Sequence, residues 1–254
     1  MTDFVKAEVI NQISHIEFGT AKSNSLPGNI LEELAQTILS ESAKVEVKAI
    51  LLKSAGDKAF CAGASFDELL QIEELETSKR FFGGFAKVLN AMRTCGKLVI
   101  VRVHGKTTGG GVGIACGADY CFATTNSALA LTELNLGIGP FVIGPYVERK
   151  IGKSQFAAMA IDADFRSAEW AKDHNIYHSV SETIEEMDVE LNKFLHTLSG
   201  RSSDALALIK KVAWEGSEHF DQLMPERILM SASLILEDSA KENINKIKER
   251  LRAK

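Results

Sequence analysis

Two short runs, Val47–Leu52 and Leu98–Val103, are apolar almost from end to end. Strict alternation would mark a strand with one wet face, whereas a continuous apolar run of this length marks a strand covered on both faces. Each run leads into a loop of small residues, Ala55–Ala64 after the first and Gly105–Gly111 after the second, and each loop leads into a helical pattern. Strands followed by small-residue turns and helical patterns mark an α/β chain. Phe4–Ile10 and Ile13–Phe18 add a hairpin around Asn11 and Gln12. Leu31, Leu34 and Ile38 step at helical intervals behind Pro27. Phe66–Thr94 reads as mostly helical with a weak point at Gly83-Gly84, and Phe141–Ile151 as a further helix. Tyr120–Ala123 and Ala128–Leu131 read as short strands.

Beyond Ser167 the pattern becomes amphipathic helix: Ile184, Met187, Leu191, Phe194 and Leu198, then Leu206, Ile209 and Ala213. Ile228, Ala232 and Ile235 form another stripe, and Ile244, Ile247 and Leu251 the last. Residues 1–195 are therefore expected to form an α/β core and residues 196–254 a helical region. Stripes so late in the chain are expected to seek a partner surface.

The charge balance narrows the partners. Lys and Arg number 29 against 34 Asp and Glu, a formal charge of -5, which is not the footprint of a nucleic-acid or anionic-membrane protein. No apolar run approaches the ~18 residues of a membrane span. Met1–Ile10 lacks an apolar segment behind basic residues, so no secretory signal is expected and a cytoplasmic location is. Cys61, Cys95, Cys116 and Cys121 form no C-x-x-C pair and are expected as free thiols. His174 and His178 stand four apart without an acidic ligand at metal spacing, so no metal is expected.

Gly105-Lys106-Thr107 and Gly152-Lys153-Ser154 resemble the end of a phosphate loop, but Ile100 and Val147 stand where its first glycine belongs. Gly111-Val112-Gly113 is followed by Cys116 where a dinucleotide fingerprint needs glycine. What survives is the triplet Gly109-Gly110-Gly111 opening a helix. Such a turn aims N–H groups and the positive helix end at one spot, although three glycines also simply let helix and strand pack closely. A second loop, Phe60–Phe66, presents small residues between strand and helix in the same way, and two such donors can form an oxyanion hole. Glu133 is a lone acid in an apolar stretch, either paired or tuned by desolvation for proton transfer.

Asn24-Ser25-Leu26, Ala59–Ala64, Gly109–Gly111 and Thr132–Gly137, in this order and spacing, resemble the enoyl-CoA hydratase/isomerase (crotonase) family over roughly residues 4 to 200. The resemblance implies a spiral of repeated β-β-α units with a C-terminal all-helical subdomain that builds a homotrimer or dimer of trimers. It implies acyl-CoA thioester substrates, with coenzyme A arriving as part of the substrate and no separate cofactor. It assigns the oxyanion N–H groups to Ala64 and Gly110 and the catalytic acid to Glu133. Lys22, Asn24, Ala62, Ser65, Phe66, Gly109 and Gly113 are the residues expected around the substrate, Lys22 either meeting the phosphates of coenzyme A or standing as a solvated charge.

Two positions depart from the family pattern. Gly113 stands where hydratases of the family carry a second glutamate, and Ser65 replaces a frequent Asp. Gly109–Gly113, Leu136–Pro140 and Ile143–Val147 look most like the bacterial methylglutaconyl-CoA hydratase branch. The expected activity is reversible hydration of an enoyl-CoA, with 3-methylglutaconyl-CoA favoured because its own carboxylate would fill the space left at Gly113. A double-bond isomerase using Glu133 alone, a thioester hydrolase or C–C bond enzyme, and an idle acyl-CoA-binding subunit are the alternatives.

Overall fold

The computed structural model describes residues 2–252, and the side chains of residues 2–250. Strands β1 (Phe4–Ile10) and β2 (Ile13–Gly19) pair antiparallel across Asn11 and Gln12. Both turn residues have positive φ, 49° and 67°, which matches the twist of a two-residue hairpin. Helix α1 (Gly28–Ser42) returns the chain to β3 (Ala49–Ser54). Next come β4 (Ala59–Cys61), α2 (Phe66–Leu69), α3 (Leu75–Thr94), β5 (Leu98–Val103), β6 (Lys106–Thr108) and α4 (Gly110–Gly117). Then follow β7 (Tyr120–Thr124), β8 (Leu129–Ala130), a 3-10 helix (Glu133–Leu136), α5 (Gly144–Asp162), α6 (Ala168–Asp173) and β9 (Ser179–Ser181). Helices α7 (Ile184–Ser199), α8 (Ser203–Ala213), α9 (Phe220–Leu234) and α10 (Asp238–Arg252) complete the described chain.

The strands form a six-stranded sheet, β1-β2-β3-β5-β7-β9, and a three-stranded sheet, β4-β6-β8. Apart from the first hairpin, the pairings between these strands are parallel. Successive turns of the chain thus add one strand to each sheet, which is the expected spiral of β-β-α units.

The apolar runs work as continuous strands because each face has its own core. Ile50, Leu52, Val99 and Val101 join Leu31, Leu34, Val88 and Leu89 of α1 and α3. The alternate residues Ala49, Leu51 and Ile100 join Met187, Leu191, Leu195 and Leu198 of α7 on the other side. Helix α7 crosses residue 195 without a break and packs on β7 and β9.

Part of the late stripes packs within the chain, while Ile209 stays exposed. Ala232 is fully buried, and Ile235, Ala240 and Ile244 pack on Leu69 and Ile138. Ile228 rests on the main core. The single chain buries Ala232, Ile235 and Ile244 and leaves Ile228 and Ile247 half-buried; the Leu251 side chain lies outside the described ones. A buried ion pair pins the region to the sheet: Lys210 Nζ donates to Asp119 Oδ2 at 2.7 Å and to the Met92 carbonyl at 2.7 Å. Trp214 Nε1–H and the Val99 N–H complete the shell of Asp119, both at 2.7 Å. No described helix is long and apolar enough to cross a membrane.

Candidate active site

The smaller sheet positions the reactive groups. Beyond β4 the chain bridges to Leu26: the Leu26 N–H donates to the Gly63 carbonyl at 2.8 Å, and the Ser65 N–H donates to the Leu26 carbonyl at 3.0 Å. Ala64 lies between these bonds, so its own N–H is turned the other way, and its carbonyl accepts from Ser25 Oγ at 3.0 Å. Next in the sheet, β6 ends in Gly109, whose φ of 53° and ψ of -122° suit glycine alone. The Gly109 N–H is held by the Ala130 carbonyl at 3.1 Å, and the bend swings Gly110 to the head of α4. Among the described residues, neither the Ala64 nor the Gly110 N–H donates to a protein acceptor. The loops converge: a Cβ placed on Gly63 would lie 3.8 Å from the Gly110 nitrogen.

Glu133 arrives from β8, the third strand of that sheet, in the first turn of the 3-10 helix. Gly137 ends that helix in the left-handed region, φ 81°, with its α-carbon face against Ala240 of α10. Carboxylate oxygen Oε1 of Glu133 lies 3.2 Å from where a Cβ of Gly109 would be, so the acid rests against the glycine triplet. Its Oε2 is out of reach of solvent and has no hydrogen-bond partner among the described residues. Burial disfavours the carboxylate and pushes the Glu133 pKa up to about 7, against a smaller opposing contribution from its own backbone N–H. A carboxyl of that pKa both takes and gives a proton near neutrality.

Ala64, Gly110 and Glu133 open onto one cavity of about 590 Å³. Phe81, Phe82, Phe85, Phe141 and Ile143 supply apolar wall, and Ile247 of α10 joins them. Of the other expected residues, Lys22, Ala62, Phe66 and Gly109 also line it. Lys22 is ion-paired with Asp67, and both are exposed.

Asn24, Ser65 and Gly113 do not line the cavity. Asn24 is buried, donates from Nδ2 to the Ala55 and Ala59 carbonyls at 2.8 and 2.9 Å, and accepts the Thr20 N–H at 3.1 Å. It ties the turn before α1 to β4. Ser65 caps α2, its Oγ accepting the Glu68 N–H. Gly113 is packed beneath Ile143, so the space expected there for a substrate carboxylate is filled. Sequence reasoning missed Phe81, Phe82 and Phe85 as wall; their spacing along α3 was the available signal. His174 stacks on Trp170 at 3.9 Å between ring centroids, and His178 Nδ1 accepts the Cys121 N–H, so the pair serves separate structural contacts.

Residues 8–254 match the family described as Enoyl-CoA hydratase/isomerase. The mitochondrial 3-hydroxyisobutyryl-CoA hydrolase of Homo sapiens is 32% identical over 128 residues, 48% of this chain and 32% of that protein. A short-chain-enoyl-CoA hydratase of Clostridium acetobutylicum is 33% identical over 148 residues, 56% of each chain. The matches thus span about a third and about half of those relatives' lengths. The crystal structure of an enoyl-CoA hydratase from Bacillus halodurans shares the fold, with a TM-score of 0.89 at 18% identity over 95% of this chain and 99% of that one. With a family match across nearly the whole sequence, two converging N–H donors and an acid beside them, the chain belongs to the enoyl-CoA hydratase/isomerase family.

Proposed function

We propose that the chain acts on enoyl-CoA thioesters through a stabilised enolate, with reversible hydration of the double bond as its reaction. The observation that carries this reading is the Glu133 carboxyl, its Oε2 buried and without a partner among the described residues, on the same cavity as two unspent N–H donors. The thioester oxygen accepts from the Ala64 and Gly110 N–H groups. Each donor is worth about 3 kcal/mol as charge develops on that oxygen, and the positive end of α4 adds to the effect. Glu133 takes a proton from water as the water oxygen bonds to the β-carbon and the π electrons move onto the thioester oxygen. The enolate then collapses, and Glu133 delivers the proton to the α-carbon. This cycle calls for no metal or redox cofactor; coenzyme A enters as part of the substrate, with Lys22 at the cavity wall for its phosphates.

The aromatic wall favours an apolar acyl group. With Ile143 over Gly113, the carboxylate of a 3-methylglutaconyl group would lose its hydration without gaining a cation there, a cost of several kcal/mol. Crotonyl-type chains are accordingly the preferred substrates, and a soluble homotrimer or dimer of trimers is the proposed assembly. A second reading, double-bond isomerisation, is favoured by one observation: Asp67, the other carboxylate on the wall, is exposed and paired with Lys22, which leaves Glu133 as a single acid.

The test is a panel of crotonyl-, 3-enoyl- and 3-hydroxyacyl-CoA thioesters read by mass. Gain of one water supports hydration, unchanged mass with a moved double bond supports isomerisation, and release of free coenzyme A would make the chain a hydrolase. Glu133→Gln should lower turnover by ~10²–10⁴. Thioester binding without turnover of any member would overturn the enzymatic reading.

A further inference from the structure

Gly110 and Gly113 stand three residues apart on α4 and so share one side of the helix. A side chain at 113 would rise beside the Gly110 N–H. A Cβ there would lie 2.6 Å from Ile143 Cγ2, 3.0 Å from Ile143 Cβ and 3.3 Å from Leu89 Cδ1. The place is taken by a neighbour's side chain. Ile143 is 3% exposed and immediately precedes α5. Its carbonyl accepts the Tyr146 and Val147 N–H groups, both at 3.1 Å, which fixes its backbone, and its branched Cβ restricts χ1. It lines the cavity from that fixed position.

We propose that Ile143 is the specificity-determining side chain that sets the relative rates of water addition to a 2-enoyl thioester and of proton return through the dienolate of a 3-enoyl thioester. The inference rests on the enolate chemistry proposed above. The first acyl carbons lie within a few bonds of an oxygen held at the Gly110 N–H, so the wall they meet is this one. Phe85, whose ring lies 2.4 Å from where a Gly110 Cβ would be, continues the same wall. Neither side chain offers a donor or acceptor to hold a water against the β-carbon. Proton return needs no water. From a 3-enoyl thioester, the Glu133 carboxylate takes an α-proton, and the C–H electron pair passes into a dienolate on the thioester oxygen. The protonated Glu133 then gives that proton to the γ-carbon as the electrons flow back, leaving the double bond between the α- and β-carbons. No atom is gained or lost.

The experiment measures initial rates of crotonyl-CoA hydration and 3-hexenoyl-CoA isomerisation, and reads their ratio. Ile143→Ala opens the wall and should raise the hydration-to-isomerisation ratio about threefold; Ile143→Ala combined with Gly113→Glu, which adds a water-holding carboxylate in the vacated space, should raise it about tenfold or more, ~1.4 kcal/mol in relative barriers. Gly113→Glu alone should lower the melting temperature sharply, since Ile143 occupies the space it needs. Two folded Ile143 variants whose ratio equals that of the unmodified protein would overturn the inference and leave the function standing. An unmodified protein that turns over neither thioester would overturn both.

Discussion

Glu133→Gln should make the protein more resistant to unfolding at alkaline pH. Burial raises the Glu133 pKa from 4.5 to about 7 in the folded protein. The folded state therefore holds this proton more tightly than the unfolded chain does. The stability that this confers is fully present below pH 4.5 and is lost as pH rises through about 7. With each pH unit between the two pKa values worth about 1.4 kcal/mol, the complete loss is roughly 3 kcal/mol. Some 2 kcal/mol of it falls between about pH 5.5 and about pH 8.5. Glutamine keeps the shape and has no charge to bury, so the variant lacks this component. Any fixed cost of the buried amide cancels when one variant is compared with itself across pH. Urea unfolding of both proteins at the two pH values provides the assay. The free-energy difference between them should move by ~2 kcal/mol in favour of the variant as pH rises. Parallel curves, with a constant difference, would show that the carboxyl is not desolvated in the folded protein and would remove the physical basis for its tuning.

Gly110→Val forces a side chain to within 2.4 Å of the Phe85 ring, so the donor must shift and turnover should fall by ~10² or more; a folded variant with full steady-state activity would refute the donor role. Asn24→Ala strands the Ala55 and Ala59 carbonyls and the Thr20 N–H and should cost about 2–4 kcal/mol in urea unfolding while leaving KM nearly unchanged; unchanged stability with a raised KM would return Asn24 to the substrate. Lys210→Met leaves the buried Asp119 carboxylate without its cation and should destabilise by about 3–5 kcal/mol, seen as a lowered thermal midpoint; a stability-neutral result would mean that the Trp214 and Val99 donors suffice.

What the sequence disclosed, and what it withheld, follows the range of the interactions. Val47–Leu52 and Leu98–Val103 announced buried strands because sandwiching a strand between two cores needs apolar residues on both faces. Glu133 and the glycine triplet were legible because a lone acid and consecutive glycines are locally expensive and need a reason. Ser179–Ser181 was not read as a strand: it is short and polar, and pairing with β7 makes it one. Gly83-Gly84 was read as a weak point, yet α3 runs through it. Gly84 is the place where α3 approaches α1, a Cβ there falling 2.7 Å from Leu31 Cδ1. The break lies earlier, between Leu69 and Leu75, with neither glycine nor proline to mark it. The reading of Phe141–Ile151 as a helix ends where the backbone does break: Gly152, with φ 76° and ψ 159°, kinks α5 there, and a second helical segment that was not read runs on to Asp162. Ile143 over Gly113 is a contact across 30 positions of sequence, and no local pattern encodes it.

The seat of Gly137 against Ala240 has a consequence for biosynthesis. Ala64, Gly110 and Glu133 are all translated in the first 133 residues of the chain. The helix that braces the acid's short turn, and that brings Ile247 to the cavity wall, emerges more than a hundred residues later. A nascent chain on the ribosome can thus assemble its donors and its acid in sheet order, as chains fold progressively from the N-terminal side. Its pocket still lacks Ile247, and the turn bearing the acid lacks its brace. The three groups of the candidate site are made early and enclosed late.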